Sequence, residues 1–146
     1  MPSSEQYRSL MTLYTRDTDL ICLCCSVADE GSLEEAKEIL LEIDGRVEKD
    51  NFAPFVLLGL KADLRAKGEH EFSSKEGEEF YFDLCNSVEN GRERGKGYRE
   101  LSAWKDPRGV SDFFKSIARR LMKEKAESYP RREKKIAAKK LEKIIQ

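Results

Sequence analysis

Pro54-Phe-Val-Leu-Leu-Gly-Leu-Lys-Ala-Asp63 is an unbroken apolar run that ends at a glycine and turns polar within two residues. A strand with one wet face alternates apolar and polar residues. A strand covered on both faces reads instead as a short continuous apolar run between turn signals. The spacing predicts such a strand over Pro54–Gly59. A second run of the same kind, Leu20-Ile-Cys-Leu-Cys-Cys-Ser-Val27, lies between Asp17/Asp19 and Asp29-Glu-Gly31. Working outward, Ser32-Leu-Glu-Glu35 has the form of a capping box, followed by a stripe of Leu33, Ala36, Ile39, Leu40 and Ile43 and a stop at Gly45. Ser73 and Glu76 form a second capping box, opening a helix with Phe80, Leu84 and Val88. The stretch from Asn90-Gly91 to Lys96-Gly97 is expected to be an exposed loop, and Tyr98 to Ala103 a weaker third strand. Tyr7, Leu10, Met11 and Tyr14 predict a short first helix, and Val110, Phe113, Phe114, Ile117, Ala118 and Leu121 a long later one. Helices alternating with short apolar strands imply an α/β fold with about three parallel strands and helices on the faces.

Charge is unevenly placed. The 146 residues carry a formal net charge of −1, yet twelve Lys/Arg and four Glu lie from Lys115 to Gln146, leaving an acidic body and a basic tail. An acidic body is the wrong partner for nucleic acid, and none is expected. Beyond Tyr129-Pro130 the sequence suggests a separate amphipathic helix with Ile136, Ala137, Leu141, Ile144 and Ile145 on one side, so the expected division is residues 1–128 and 129–146. No stretch approaches the roughly 18 apolar residues of a membrane span, and the N-terminus has no basic-then-apolar leader, so a cytoplasmic location is expected. Cys22, Cys24, Cys25 and Cys85 are expected to be buried, reduced thiols, since three of them sit inside an apolar run rather than in the polar turns that present metal ligands.

Three segments, in order, resemble the Ras superfamily, and its Rho/Rac-like branch in particular. Glu5-Gln-Tyr-Arg-Ser-Leu10 through Asp17-Thr-Asp to Val27 is similar to the end of the second switch, its helix and the next strand. Phe55-Val-Leu-Leu-Gly-Leu-Lys-Ala-Asp-Leu-Arg65 resembles the guanine-specificity motif, with Leu60 where the family has Asn or Thr. Glu100-Leu-Ser-Ala-Trp104 is similar to the motif that closes over the base. The resemblance implies a base site of Lys61, Asp63, Ser102 and Ala103. Asp63 would accept the N1–H and 2-amino group of guanine, and the stem of Lys61 would lie along the base. The Ala103 N–H would face the guanine oxygen, and Ser102 would steady Asp63.

The family's Gly-rich phosphate loop, first switch and magnesium-binding motif would all precede Tyr7, where only six residues stand, with Ser3 and Ser4 at the positions of the switch Gly and the water-orienting Gln. On that basis the resemblance covers the C-terminal half of the domain only. The corresponding expectations are no GTP hydrolysis, no magnesium site and no required cofactor, with at most weak binding of GTP or GDP. A bidentate base contact discriminates by about 1–3 kcal/mol, whereas binding at 1 mM needs about 4.1 kcal/mol. Three readings follow: a non-catalytic interaction or regulatory protein, a guanine-nucleotide-binding protein with a residual base site, or a truncated gene product. Expected partners are proteins reading the Tyr7, Leu10, Tyr14 helix, a second copy through the strand Leu20–Val27, and weak contact of residues 131–143 with acidic membrane.

Overall fold

A computed structural model describes residues 17–145, with the side chains of 129–134 left out of the description. The helix expected around Tyr7, Leu10, Met11 and Tyr14 lies outside the described residues. The chain divides into two compact units at Pro107/Arg108.

The first unit is α/β, as its sequence pattern implies. Strand β1 (Ile21–Ser26) leads to helix α1 (Gly31–Asp44), and β2 (Phe55–Leu60) to a 3-10 turn (Ala62–Lys67) and helix α2 (Ser74–Ser87). A single-turn helix α3 (Gly91–Arg94) then precedes β3 (Gly95–Glu100). The sheet order is β1-β2-β3, and both pairings are parallel, with Leu23 opposite Leu57 and Leu58 opposite Arg99. Among the described strands, the middle one alone has neighbours on both edges and packing on both faces. Phe55, Val56, Leu57 and Leu58 are each at most 2% exposed. Leu23, Cys25, Phe55 and Leu57 share one core with Leu33, Ala36 and Leu40 of α1 and Tyr81, Leu84 and Cys85 of α2.

Four local expectations change. The first concerns β1, which is buried on alternate residues only: Leu23 and Cys25 are inside, whereas Cys22 and Cys24 are exposed. Four buried thiols are therefore two, because successive strand residues point to opposite faces and one face of β1 is open to solvent. Cys25 donates its S–H to the Leu58 carbonyl at 3.3 Å, and burial pushes its pKa up to about 12.

The second concerns the capping boxes. That at Ser73 forms, with its hydroxyl accepting from the Glu76 N–H at 3.1 Å and Glu76 accepting from the Ser73 N–H at 2.6 Å. That at Ser32 does not. The Ser32 hydroxyl donates to the Asp29 carbonyl at 2.6 Å and accepts from the Ser26 N–H at 2.9 Å, so it fastens the end of β1 to the start of α1.

The third is the stretch Asn90–Gly97, expected as an exposed loop. It folds into α3 and the start of β3, and Arg94 is 6% exposed. The Arg94 guanidinium makes a bidentate pair with Asp44 at 2.8 Å, donates to the carbonyls of Ala53 and Glu89, and lies 4.8 Å from the centroid of the Phe52 ring. Sequence charge alone marks Arg94 as solvated; the complete set of acceptors is what lets it be buried. Gly91 allows the turn, since a Cβ there would meet the Cys85 carbonyl oxygen at 1.9 Å.

The fourth is the expected break at Tyr129-Pro130. Helix α4 runs without interruption from Pro107 to Ile145. A mid-helix proline costs about 3 kcal/mol, but strong helix formers such as Lys, Ala, Glu and Leu dominate on both sides and carry the helix through. Ile136, Leu141, Ile144 and Ile145 on this helix are all exposed. No helix of the described residues is long and apolar enough to cross a membrane.

Two outcomes follow from this packing. Arg94→Met strands the Asp44 carboxylate and should lower unfolding free energy by about 3–5 kcal/mol, read as a fall in the urea midpoint, with Asp44→Leu in the same chain restoring part of it. Thiol titration of the folded protein should give two fast cysteines, Cys22 and Cys24, with Cys25 and Cys85 reacting only in denaturant.

Candidate functional site

In a parallel sheet every strand ends on the same side, so the residues just beyond the C-terminal ends of β2 and β3 are brought together. Lys61 follows β2 directly, Asp63 sits in the 3-10 turn Ala62–Lys67, and Ser102 and Ala103 come just after β3. The third strand was expected to run to Ala103 and instead ends at Glu100. That shift releases Ser102 and Ala103 from the ladder into the turn, where their polar groups are available.

Lys61 adopts a left-handed backbone, φ 60° and ψ 38°. For a residue with a Cβ this conformation costs of the order of 1–3 kcal/mol, and it persists only where surrounding bonds enforce it. Here the Leu64 N–H donates to the Lys61 carbonyl at 3.0 Å, and the Ala62 N–H to the Leu101 carbonyl at 3.2 Å. The Leu101 N–H donates in turn to the Gly59 carbonyl at 2.8 Å. The two turns are thus laced together by backbone.

Side chains complete the join. Ser102 is buried, and its hydroxyl donates to Asp63 Oδ1 at 2.7 Å while accepting from the Lys105 N–H at 3.0 Å. Because a carboxylate only accepts, the direction of that proton is fixed. The structure thus brings Ser102 and Asp63, from two separate strand ends, into direct contact. Among the described residues, this is the hydrogen bond that Asp63 accepts, and an ionised carboxylate offers about four lone-pair sites. Capacity for two further donors is left. Lys61, two residues before Asp63, and Ala103, next to Ser102, are exposed, and Trp104, following Ala103, is 88% exposed.

Directly below this layer lies a second acidic group, Glu100, which sequence reasoning did not single out. Its Oε1 accepts from Arg65 Nε at 2.6 Å and from the Ser74 hydroxyl at 3.0 Å. Its Oε2 accepts from Arg65 Nη2 at 2.7 Å and from the Tyr98 hydroxyl at 2.6 Å. Arg65 spends a further donor on the Phe72 carbonyl at 2.8 Å. Partial burial alone would raise the Glu100 pKa; the bonds from Arg65, Tyr98 and Ser74 outweigh it and hold the carboxyl below its ordinary range. The Tyr98 hydroxyl is pushed the other way, by burial and by the neighbouring carboxylate. Gly59 and Gly77 leave room for the Tyr98 ring: a Cβ at either would come within 2.7 Å of its hydroxyl. The only sequence signal for this cluster was the alternation of charge within Tyr98-Arg-Glu100, which is common on exposed strands.

Leu60 ends β2 where a polar side chain was noted as missing, and its carbonyl accepts from the Val27 N–H at 3.1 Å. Its backbone therefore ties β1 to the site even without a polar side chain. Among the described residues there is no group of three or more His, Cys, Asp and Glu placed to hold a metal ion.

Since the folded pKa of Glu100 is depressed, the stability it contributes is present above the unfolded value of 4.5 and is lost as pH falls below it. Glu100→Gln should flatten the acid limb of a plot of urea midpoint against pH, leaving the neutral and alkaline region parallel to that of the unchanged protein.

The family model described as the Ras family matches residues 3–123. The GTP-binding protein YPT52 of Saccharomyces cerevisiae (strain ATCC 204508 / S288c) is 26% identical over 125 residues, covering 80% of this chain and 53% of that protein. The chain therefore spans about half the length of the curated relative it matches. Ras-family proteins are GTPases, an enzyme class, and the match overturns the expectation that the chain is not an enzyme. With the family model covering most of the chain and the paired turns in place beyond a parallel sheet, this chain belongs to the Ras family of small GTPases.

Proposed function

We propose that this chain recognises the guanine base of GTP and GDP within a small GTPase domain. The observation that carries the reading is the Ser102 to Asp63 hydrogen bond of 2.7 Å, which aims a carboxylate with spare acceptor capacity from one strand end across to the next. Guanine presents N1–H and a 2-amino group side by side, a matched pair of donors for such a carboxylate. Adenine has no such pair and would leave the carboxylate desolvated without partners, a penalty of about 1–3 kcal/mol or more for a charged group. Lys61 follows β2 directly and is exposed, so its stem is available to lie along the purine face. The Ala103 N–H, in the exposed turn after Ser102, suits the guanine 6-oxo group.

The nucleotide's phosphates and a magnesium ion, when bound, would supply the larger part of the affinity and the hydrolytic chemistry of the family. What the residues described here contribute is selection and orientation of the base. At a finer level, we place the chain nearest the Rho-like branch, acting in small-GTPase signalling. The support is Leu-Lys-Ala-Asp-Leu-Arg at 60–65, whose terminal Arg65 is engaged in the pairing with Glu100.

Titration with fluorescent GDP, with and without magnesium, tests the reading. Asp63→Ala should weaken binding at least about tenfold, the loss of a charge-assisted pair. Asp63→Asn exchanges one acceptor for an amide donor and should move preference from guanine towards xanthine nucleotides, whose 2-position is an oxygen. Guanine and xanthine nucleotides bound equally by both forms would refute the assignment of Asp63.

A further inference from the structure

The site contains two carboxylates that the sequence places almost symmetrically, and they are in opposite hydrogen-bonding states. Arg65 lies two residues after Asp63, and Glu100 two residues before Ser102. Among the described residues, Asp63 accepts one hydrogen bond, from Ser102. Glu100 accepts four, from Arg65 twice, Ser74 and Tyr98, at 2.6 to 3.0 Å. Four donors fill the acceptor capacity of a carboxylate. Glu100 therefore has nothing left to offer a ligand.

We propose that Glu100 and Arg65 are positioning residues for base recognition, forming a clamp that fixes the distance between the Lys61–Asp63 turn and the Ser102–Ala103 turn. The inference rests on the base-site reading above. Arg65 suits the task because its planar fork engages both carboxylate oxygens, which sets orientation as well as distance; lysine would hold only the charge. The clamp is braced from the helix side, since Ser74 is the first residue of α2 and Phe72 immediately precedes the capping Ser73. Tyr98 braces it from the strand, in the space left by Gly59 and Gly77. Parallel to the clamp run the Ala62 to Leu101 backbone bond and the Ser102 to Asp63 bond. Loosening Arg65 from Glu100 should therefore let the Asp63 carboxylate drift from its orientation while the apolar core stays packed.

The test compares the full chain with Glu100→Gln and Arg65→Lys. Amide hydrogen exchange without nucleotide reads the mechanical part. Protection at Ala62, Leu101 and Lys105 should fall at least about tenfold, while Ile21 and Val27, whose N–H groups bond Pro54 and Leu60, stay unchanged. The ratio of the dissociation constants for inosine and guanosine diphosphates reads the functional part, with the single tryptophan, Trp104, as fluorescence donor to a labelled nucleotide. Inosine lacks the 2-amino group, so a well-aimed Asp63 should favour guanosine about tenfold or more. Both variants should lose most of that ratio. Uniform loss of protection at all these amides, or an unchanged ratio in variants that remain folded, would show a merely structural ion pair and overturn the proposal. If the unchanged protein binds no guanine nucleotide, the base-site reading fails and the recognition role of the clamp fails with it. The exchange pattern would still show separately whether the mechanical link exists.

Discussion

The parallel seating of Phe55–Leu60 between two partner strands is the constraint from which the rest of the first unit follows. A strand with neighbours on both edges is held by two hydrogen-bonded ladders at once, so it cannot shift register without breaking both. Once it is fixed, the chain must leave it at the same end as β1 and β3 leave theirs. The polar residues after β2 and after β3 then meet across a short gap whether or not they attract each other. Leu101, between Glu100 and Ser102, is held to Gly59 by its N–H and to Ala62 by its carbonyl, so the gap is closed by backbone before any side chain contributes.

On that frame the two acidic residues divide the work through their surroundings. Glu100 is half enclosed, meets a bidentate arginine, and is saturated by four donors. Asp63, two positions from the arginine on the other turn, meets one hydroxyl. Residues of the same chemical class thus differ in how much acceptor capacity is already filled, and the number of donors present distinguishes them. The left-handed Lys61 belongs to the same frame, because the bonds from Leu64 and Ala62 enforce a backbone the residue would not choose alone.

The basic face of the chain belongs to the second unit, helix Pro107–Ile145, and the acidic surplus to the first. Within the acidic unit, part of the charge is paired locally, as in Arg65 with Glu100 and Arg94 with Asp44. Arg94 also shows why charge is a poor guide to burial. A guanidinium can sit in the interior when its donors find acceptors, and here residues 44 and 53, far from it in the chain, join the nearby carbonyl of residue 89.

The fold class, the strands at Leu20–Val27 and Pro54–Gly59 and the capping box at Ser73 were legible in the residues themselves, whereas the proposed set Lys61, Asp63, Ser102 and Ala103 was marked by the order of its motifs. Apolar run length, a three-residue capping spacing and a motif in fixed order are local properties, and local properties survive in a linear text. The failed box at Ser32, the solvent face carrying Cys22 and Cys24, the burial of Arg94 and the full coordination of Glu100 were not legible. Each depends on which distant group arrives within about 3 Å, the range in which hydrogen bonds have their strength. Sequence by itself determined which segments become strands and helices and which residue types stand at their ends. Only the tertiary structure decided which carboxylate is saturated and which keeps acceptor capacity, because that is a count of donors brought together from different parts of the chain.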